Sequence, residues 1–270
     1  MKRLEQIGES LKFPELTYRV WKVWQRDFDV FMKTWKVNFF PPLLEPIFYL
    51  VAFGLGVGTF INNPALFGGL TYREFIATAL VAISVMNSSF FECTYGSFVR
   101  MYYQKTFDGI IATPISVEEV IAGELVWGAT RSLISSTIVM GVVAAFGLIN
   151  SSLFILILPI AFLGGLMFSS IGMCFTAIAP NIDFFNYPAF LFITPMLLLG
   201  NTFFPLGFLP TALQNFAVVA LPLVHEVTLT RGLITGNLQP LMGLSIIWIS
   251  AVTIFFFVLS INLMRKRLVK

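Results

Sequence analysis

Six stretches of this chain are each long and apolar enough to cross a lipid bilayer, and no other feature restricts its fold as strongly. They are residues 39–61, 75–99, 120–149, 153–179, 187–204 and 241–264. A crossing helix needs about 20 mainly apolar residues, because each adds about 1.5 Å toward a hydrocarbon core about 30 Å thick. Glu45 is the only charge in the first stretch and Glu92 the only one in the second. Glu124 and Arg131 lie near the start of the third, and the remaining three have none. Only 11% of the 270 residues are charged and 57% are hydrophobic. Soluble domains carry about 25% charged residues, so this chain has too few to cover a water-facing surface. The fold class is therefore all-α integral membrane, with six transmembrane helices.

A seventh apolar run, 206–224, is ambiguous by length, and charge placement decides it. Lys2, Arg3, Lys12, Arg19, Lys22, Arg26, Lys33 and Lys36 precede the first stretch; Arg265, Lys266, Arg267 and Lys270 follow the last. Cytoplasmic flanks carry the excess of Lys and Arg. Both ends are thus expected in the cytoplasm, which requires an even number of crossings. The run also follows Pro205 and carries Pro210 and Pro222. Broken backbone at membrane depth survives only where protein buries it or water reaches it. Residues 205–233, including His225 and Arg231, are expected to form a re-entrant outer helical hairpin between spans five and six. The loops after spans two and four then face the cytoplasm. No early apolar segment precedes residue 36, so the mature chain is expected to begin near Met1.

The chain divides into a cytoplasmic N-terminus, 1–37, a six-span domain, 38–264, and a basic tail, 265–270. Within the N-terminus, Leu16, Val20, Trp24, Phe28, Phe31 and Trp35 recur at helical spacing. Arg19, Lys22, Arg26, Asp29, Lys33 and Lys36 recur on another face. That period predicts an amphipathic helix. With tryptophan on one face and mostly basic residues on the other, it is expected to lie in the membrane interface against lipid headgroups.

Several chemistries are missing. The sequence has no GxxxxGK[ST] phosphate loop, no GxGxxG, no HExxH and no GxSxG, so no nucleotide site or hydrolase is legible. Cys93 and Cys174 stand apart inside apolar runs, which points to helix packing rather than a metal. No metal, no resident cofactor and no nucleic-acid partner is expected. Ionisable groups inside the membrane are expensive unless paired or watered. Glu45, Glu92 and Arg131, with Tyr49, are therefore candidates either for pairing in the bundle or for lining a polar path. Glu124 and Arg131 are seven residues apart on one helix face, able to bridge helices or to meet through intermediates. Gly54 and Gly58 form a GxxxG, and Gly165 with Ser169 a second small-residue pair, both suited to close helix contact.

One polar island interrupts the apolar pattern, QKTFDGIIATPISVEEV at residues 104–120. Thr106 is placed to cap a short helix, next to Lys105, with Asp108 in its first turn. Pro114 disfavours helix at Thr113. Ser116 and Glu119 then have the spacing of a capping box that opens span three. Phe107, Ile110 and Ile111 form an apolar face that a partner's groove could bury. The local pattern fits a capped loop on the membrane equally well.

This arrangement resembles the membrane subunit of ABC-2 type (type V ABC) exporters. The residues that carry the resemblance are LLEPIFYLVAFGLGVG in span one, TYREFIATALVA before span two, FDGIIATPISVEEVIAGELVWG around the island and FFPLGFLPTALQNFAVVALPLVHEVTLTRGL beyond span five. Permeases for nodulation lipo-chito-oligosaccharide export are the most similar group, and daunorubicin-resistance-type permeases come next. The resemblance implies a homodimer working with two copies of a separate ATP-binding subunit, which would hold ATP and Mg. It implies that the island is the coupling helix docked on that subunit, with the N-terminal helix touching its edge. It also implies a path lined by spans one, two and five, export of an amphipathic or lipid-linked cargo, and a bacterial inner-membrane location. An ion-coupled secondary transporter using Glu45 and Glu92 is the alternative, and a membrane protein without transport activity a further one.

Overall fold

The computed structural model describes residues 13–61 and 63–269. Lys2, Arg3, Lys12 and Lys270 lie outside the described residues. Helix α1, Val20–Tyr49, runs on through a π-helical stretch, Leu50–Gly56, and a short 3-10 turn, Val57–Thr59. Next come α2, Tyr72–Phe91, which is extended by the π-helical turns Glu92–Gly96 and Val99–Tyr103, and the short α3, Thr106–Ile111. Helices α4, Val117–Ala145, and α5, Ile157–Ile178, follow. Then come the interrupted α6, Ile182–Leu199, α7, Thr211–Ala220, α8, Pro222–Thr235, and α9, Leu241–Leu268. Six helices among the described residues are long and apolar enough to cross a membrane, and α7 and α8 form a pair bent by 86°.

Local chemistry sets the boundaries. Thr71 and Glu74 cap the start of α2 reciprocally, and Ser116 and Glu119 do the same for α4. Each box satisfies backbone N–H groups that the first turn leaves without partners. Ser116→Ala is expected to lower stability by about 1 kcal/mol, read from the unfolding midpoint of the purified protein. The bend at Leu221 follows from Pro222, which cannot donate into the preceding turn. From that bend α8 returns to the end of the bundle where α4 stops. There the Asn150 N–H donates to the Ile234 carbonyl at 3.0 Å.

The segment before α1 and the last turns of α9 meet at the opposite end of the bundle. The Glu118 carboxylate accepts from the Glu15 N–H at 2.9 Å and from Arg265 at 3.0 Å. The core lies between α2, α4 and α5, where small residues bring backbones together. A Cβ on Gly165 would lie 1.8 Å from Ser132 Oγ and 3.1 Å from the Ala129 Cα. Gly54 and Gly58 instead face Arg73 and Tyr72 at the entry to α2.

The N-terminal segment departs from expectation. It is not a separate interfacial helix ending at residue 37, because α1 continues unbroken through Pro41, Pro42 and Pro46. Nor does its stripe face lipid alone. Trp24 donates to Thr130 Oγ1 at 2.9 Å, and Phe28 and Phe31 pack on Trp127 with centroids 6.4 and 5.6 Å away. Those contacts set the middle of the stripe against α4, while Leu16 and Trp35 stay exposed. A neighbouring helix inside the same chain was the partner that periodicity alone does not reveal.

Candidate functional site

A chain of charges ties α1, the end of α2 and α4 together. Glu124 is fully buried on α4. Arg100 Nε donates to its two carboxylate oxygens at 3.0 and 3.1 Å, Arg100 Nη2 lies 2.5 Å from one of them, and Ser97 donates to it at 2.6 Å. Arg100 Nη1 reaches Glu92 at 2.7 Å, and Trp127 Nε1 donates to the same Glu92 oxygen at 3.0 Å. The other Glu92 oxygen faces Arg131 Nε at 3.4 Å. Arg131 goes on to donate to Asn38 on α1 at 3.2 Å and lies over the Phe31 ring. Glu124 and Arg131 thus do not touch; Arg100 and Glu92 join them. Beside the chain, buried Asp27 pairs with Arg26 at 2.7 Å. Glu92 opens the first π-helical turn and Arg100 lies within the second. Such turns often mark functional sites in helices.

Above this cluster a groove runs up the bundle between α1, α2 and α4. Its lower cavity, about 390 Å³, is lined by Asp27, Asn38, Glu92, Arg100 and Arg131 among others. The upper one, about 320 Å³, shares Asn38 and Arg131 and adds Glu45, Ser84, Asn87 and Ser88. Val37, Pro41, Pro42 and Pro46 form its α1 wall. Proline has no N–H for the carbonyl four residues earlier, so the Val37, Asn38 and Pro42 carbonyls lose their ladder donors on this wall. Buried Asn87 Oδ1 accepts no hydrogen bond from any described residue, while Ser84 and Ser88 donate back to their own helix at 2.7 and 2.5 Å. The groove therefore offers acceptors at membrane depth, suited to a ligand that brings hydroxyl or N–H donors.

Three of the four candidate polar residues, Glu45, Glu92 and Arg131, line these cavities. Tyr49 does not; its ring packs on Phe53 and Phe203. The walls come from spans one, two and three, and span five, expected to line the path, contributes no residue. Asp27, Asn87, Ser97, Arg100 and Trp127 are not singled out by the sequence. The pattern E-x-x-W-x-x-x-R at 124–131 places all three side chains on one helix face and was the available signal.

The island folds as a short helix, a turn and a restart, with two corrections. Thr106 is the first helical residue rather than the cap: Lys105 precedes it in the left-handed region at φ 53°, and no side chain caps the helix. Phe107 is completely buried in this chain's own core beside Phe98 and Phe185, so a partner's groove does not receive it. The reason is geometric: on so short a helix, the residue pointing back at the bundle becomes the anchor. Ile110 and Ile111 pack partly against the same cluster, while Lys105, Asp108, Gly109 and Pro114 are exposed.

The N-terminal segment is stitched to this island. Arg19 donates to the Pro114 carbonyl, Thr17 donates to Glu119, and Arg26 Nη2 lies 3.5 Å from Thr106 Oγ1. Lys22 remains exposed. At the far end, His225 bridges Val218 and Ser245, and Arg231 lies against Phe75 and Thr78. Pro205 and Pro210 flank the 3-10 turn Leu206–Phe208.

Comparison with known proteins fits this architecture. The sequence profile of a family described as ABC-2 type transporter matches residues 18–234. The chain is 33% identical over 246 residues to nodulation protein J of Rhizobium meliloti (strain 1021), covering 91% of this chain and 92% of that one. It is 32% identical over 265 residues to nodulation protein J of Bradyrhizobium diazoefficiens, covering 97% and 99%. The inner membrane transport permease YadH of Escherichia coli (strain K12) is 24% identical over 233 residues, covering 85% and 89%.

Proposed function

The chain belongs to the ABC-2 type transporter family, and on that premise we propose that it is the membrane-spanning permease subunit of an ATP-driven exporter. It works as a homodimer in the bacterial inner membrane with both termini in the cytoplasm. Two copies of a separate ATP-binding subunit hold ATP and Mg and carry out hydrolysis. The cargo is amphipathic or lipid-linked, with a lipo-oligosaccharide favoured because the groove offers unpaired acceptors to a sugar's hydroxyls while its flanks are apolar. ATP-driven closure of the partner pushes on α3. The charge chain and the stitched N-terminal segment carry that displacement to α1, α2 and α4, which wall the groove.

The observation that carries this reading is the attachment of α3. Phe107 fixes it to the bundle, Arg26 and Arg19 tie it and the following turn to the N-terminal segment, and its outer face is left to a partner. Asp108→Lys tests it, because the Asp108 side chain is 62% exposed and its pairing with Lys105, at 4.0 Å, is a surface contact worth little to folding. Charge reversal at a docked face costs several kcal/mol. Co-purification of the ATP-binding subunit and cargo-stimulated ATP hydrolysis are therefore expected to fall about tenfold or more, with unchanged folded yield. Unchanged stimulation would sink the coupling role. At Glu92 the ion-coupled alternative loses support, because both carboxylate oxygens face Arg100, Trp127 and Arg131, which suits an ion pair rather than a proton carrier.

A further inference from the structure

At the end of the bundle opposite α3, Arg231 stands without a counter-charge. Its Nε donates to Thr78 Oγ1 at 3.2 Å, and its Nη2 to the Phe75 and Asn201 carbonyls at 3.2 and 2.8 Å. The guanidinium lies 3.8 Å from the centre of the Phe75 ring. It forms no ion pair with any described residue. Glu226, five residues earlier, points away toward Gly164. Carbonyls, a hydroxyl and a ring orient the cation but do not neutralise it, and no described residue accepts from Nη1.

Arg231 borders a cavity of about 340 Å³ between α8, the start of α9, the loop before α2 and the turn after α6. Its polar wall includes Asn201, Thr228, Asn237 and Gln239, and its apolar wall Leu66 and Leu241. His225 also lines it, with Nε2 against the Val218 carbonyl at 2.9 Å and Nδ1 against the Ser245 hydroxyl at 3.1 Å. Arg231 is the one Lys, Arg, Asp or Glu among the lining residues. Depth fits a headgroup. Phe75 and Thr78 sit three and six residues into α2, about 5–9 Å along the helix. The interfacial layer is about 5–7 Å thick on each side of the hydrocarbon core.

We propose that this cavity binds the phosphate group of a phospholipid headgroup through Arg231. A guanidinium presents a planar fork of donors that matches phosphate oxygens. The amide-lined side suits the polar head, and the apolar side suits the glycerol and first methylenes. A cavity of 340 Å³ falls in the range of small-molecule sites, about 300–1,000 Å³, and is much roomier than one inorganic phosphate requires. The site is separate from the groove between α1, α2 and α4.

The test uses the full-length protein in an uncharged detergent, titrated with dihexanoylphosphatidylglycerol, with dihexanoylglycerol, which lacks the phosphate, and with inorganic phosphate. The phosphatidyl lipid is expected to raise the unfolding temperature saturably, and dihexanoylglycerol is not. Arg231→Gln should abolish the shift. Thr228→Leu, which fills the cavity without touching the groups that hold Arg231, should raise the half-saturating concentration about tenfold. If Arg231→Gln does not fold, Thr228→Leu decides. A shift with inorganic phosphate alone would keep the phosphate site and assign it to the free ion. The proposal is overturned if neither phosphate compound shifts the wild type, if dihexanoylglycerol works as well, or if Thr228→Leu titrates as the wild type does.

Discussion

Glu124→Ala is expected to cost about 3–5 kcal/mol of folding stability, the range for removing one partner of a buried ion pair. The carboxylate is fully buried and receives Arg100 and Ser97 through short hydrogen bonds. Without it Arg100, which is only 14% exposed, must share Glu92 with Arg131 and Trp127. Alanine removes the charge and leaves a void beside the guanidinium. At about 2–4 °C per kcal/mol for a chain near this size, the unfolding temperature should drop by roughly 6–20 °C. Replacing both partners should be milder, because a buried ion pair exchanged for apolar groups is often neutral. Arg100→Met with Glu124→Met is therefore expected to recover most of the loss, since Glu92 keeps Arg131 and Trp127. Equal destabilisation of the single and double variants would show that packing at these positions, not the stranded charge, sets the cost.

Much of the architecture was legible because lipid imposes few solutions. The six crossings, the capping box at Ser116 and the bent pair around Leu221 each follow from local chemistry: apolar length, an S-x-x-E spacing, a proline. The site was less legible because it is made of tertiary partners. Glu92, Glu124 and Arg131 stood out as charges in apolar helices, yet nothing in their spacing showed that Arg100 would link them. Two π-helical turns carry Arg100 back toward the bundle, and no periodicity at 3.6 residues announces such turns. Phe107 misled for a related reason. An apolar face on a short helix is compatible with an external groove or with the protein's own core, and only packing chooses between them. The α1 stripe failed alike, since Trp24 and Phe28 would serve lipid as well as they serve Trp127.

The small-residue seam between α4 and α5 was visible in sequence as Gly165 and Ser169, and it supports a prediction with opposite signs along one helix. Gly128 and Gly141 both lie on α4. A Cβ on Gly128 would fall 2.3 Å from Ser169 Oγ and 2.8 Å from Cys93 Sγ, whereas one on Gly141 meets nothing within 4 Å. Gly141→Ala is expected to stabilise by up to about 1 kcal/mol through helix propensity, and Gly128→Ala to destabilise by about 1–3 kcal/mol through overpacking. Gly165 is tighter still. The Ser132 hydroxyl 1.8 Å from its virtual Cβ can rotate, at the cost of its 2.8 Å hydrogen bond to the Ala161 carbonyl, but the Ala129 Cα at 3.1 Å is backbone and cannot. Gly165→Leu must therefore push α4 and α5 apart along their whole contact, and little folded protein should survive extraction and size-exclusion chromatography. The same separation would move Glu124 relative to Arg100, so the seam and the charge chain should fail together. Introducing Gly165→Ala and Glu124→Ala in one molecule should cost less than the sum of the two. Strict additivity would show that the seam and the charge chain are independent, and that a push on α3 reaches the groove through α2 and α1 without requiring α5.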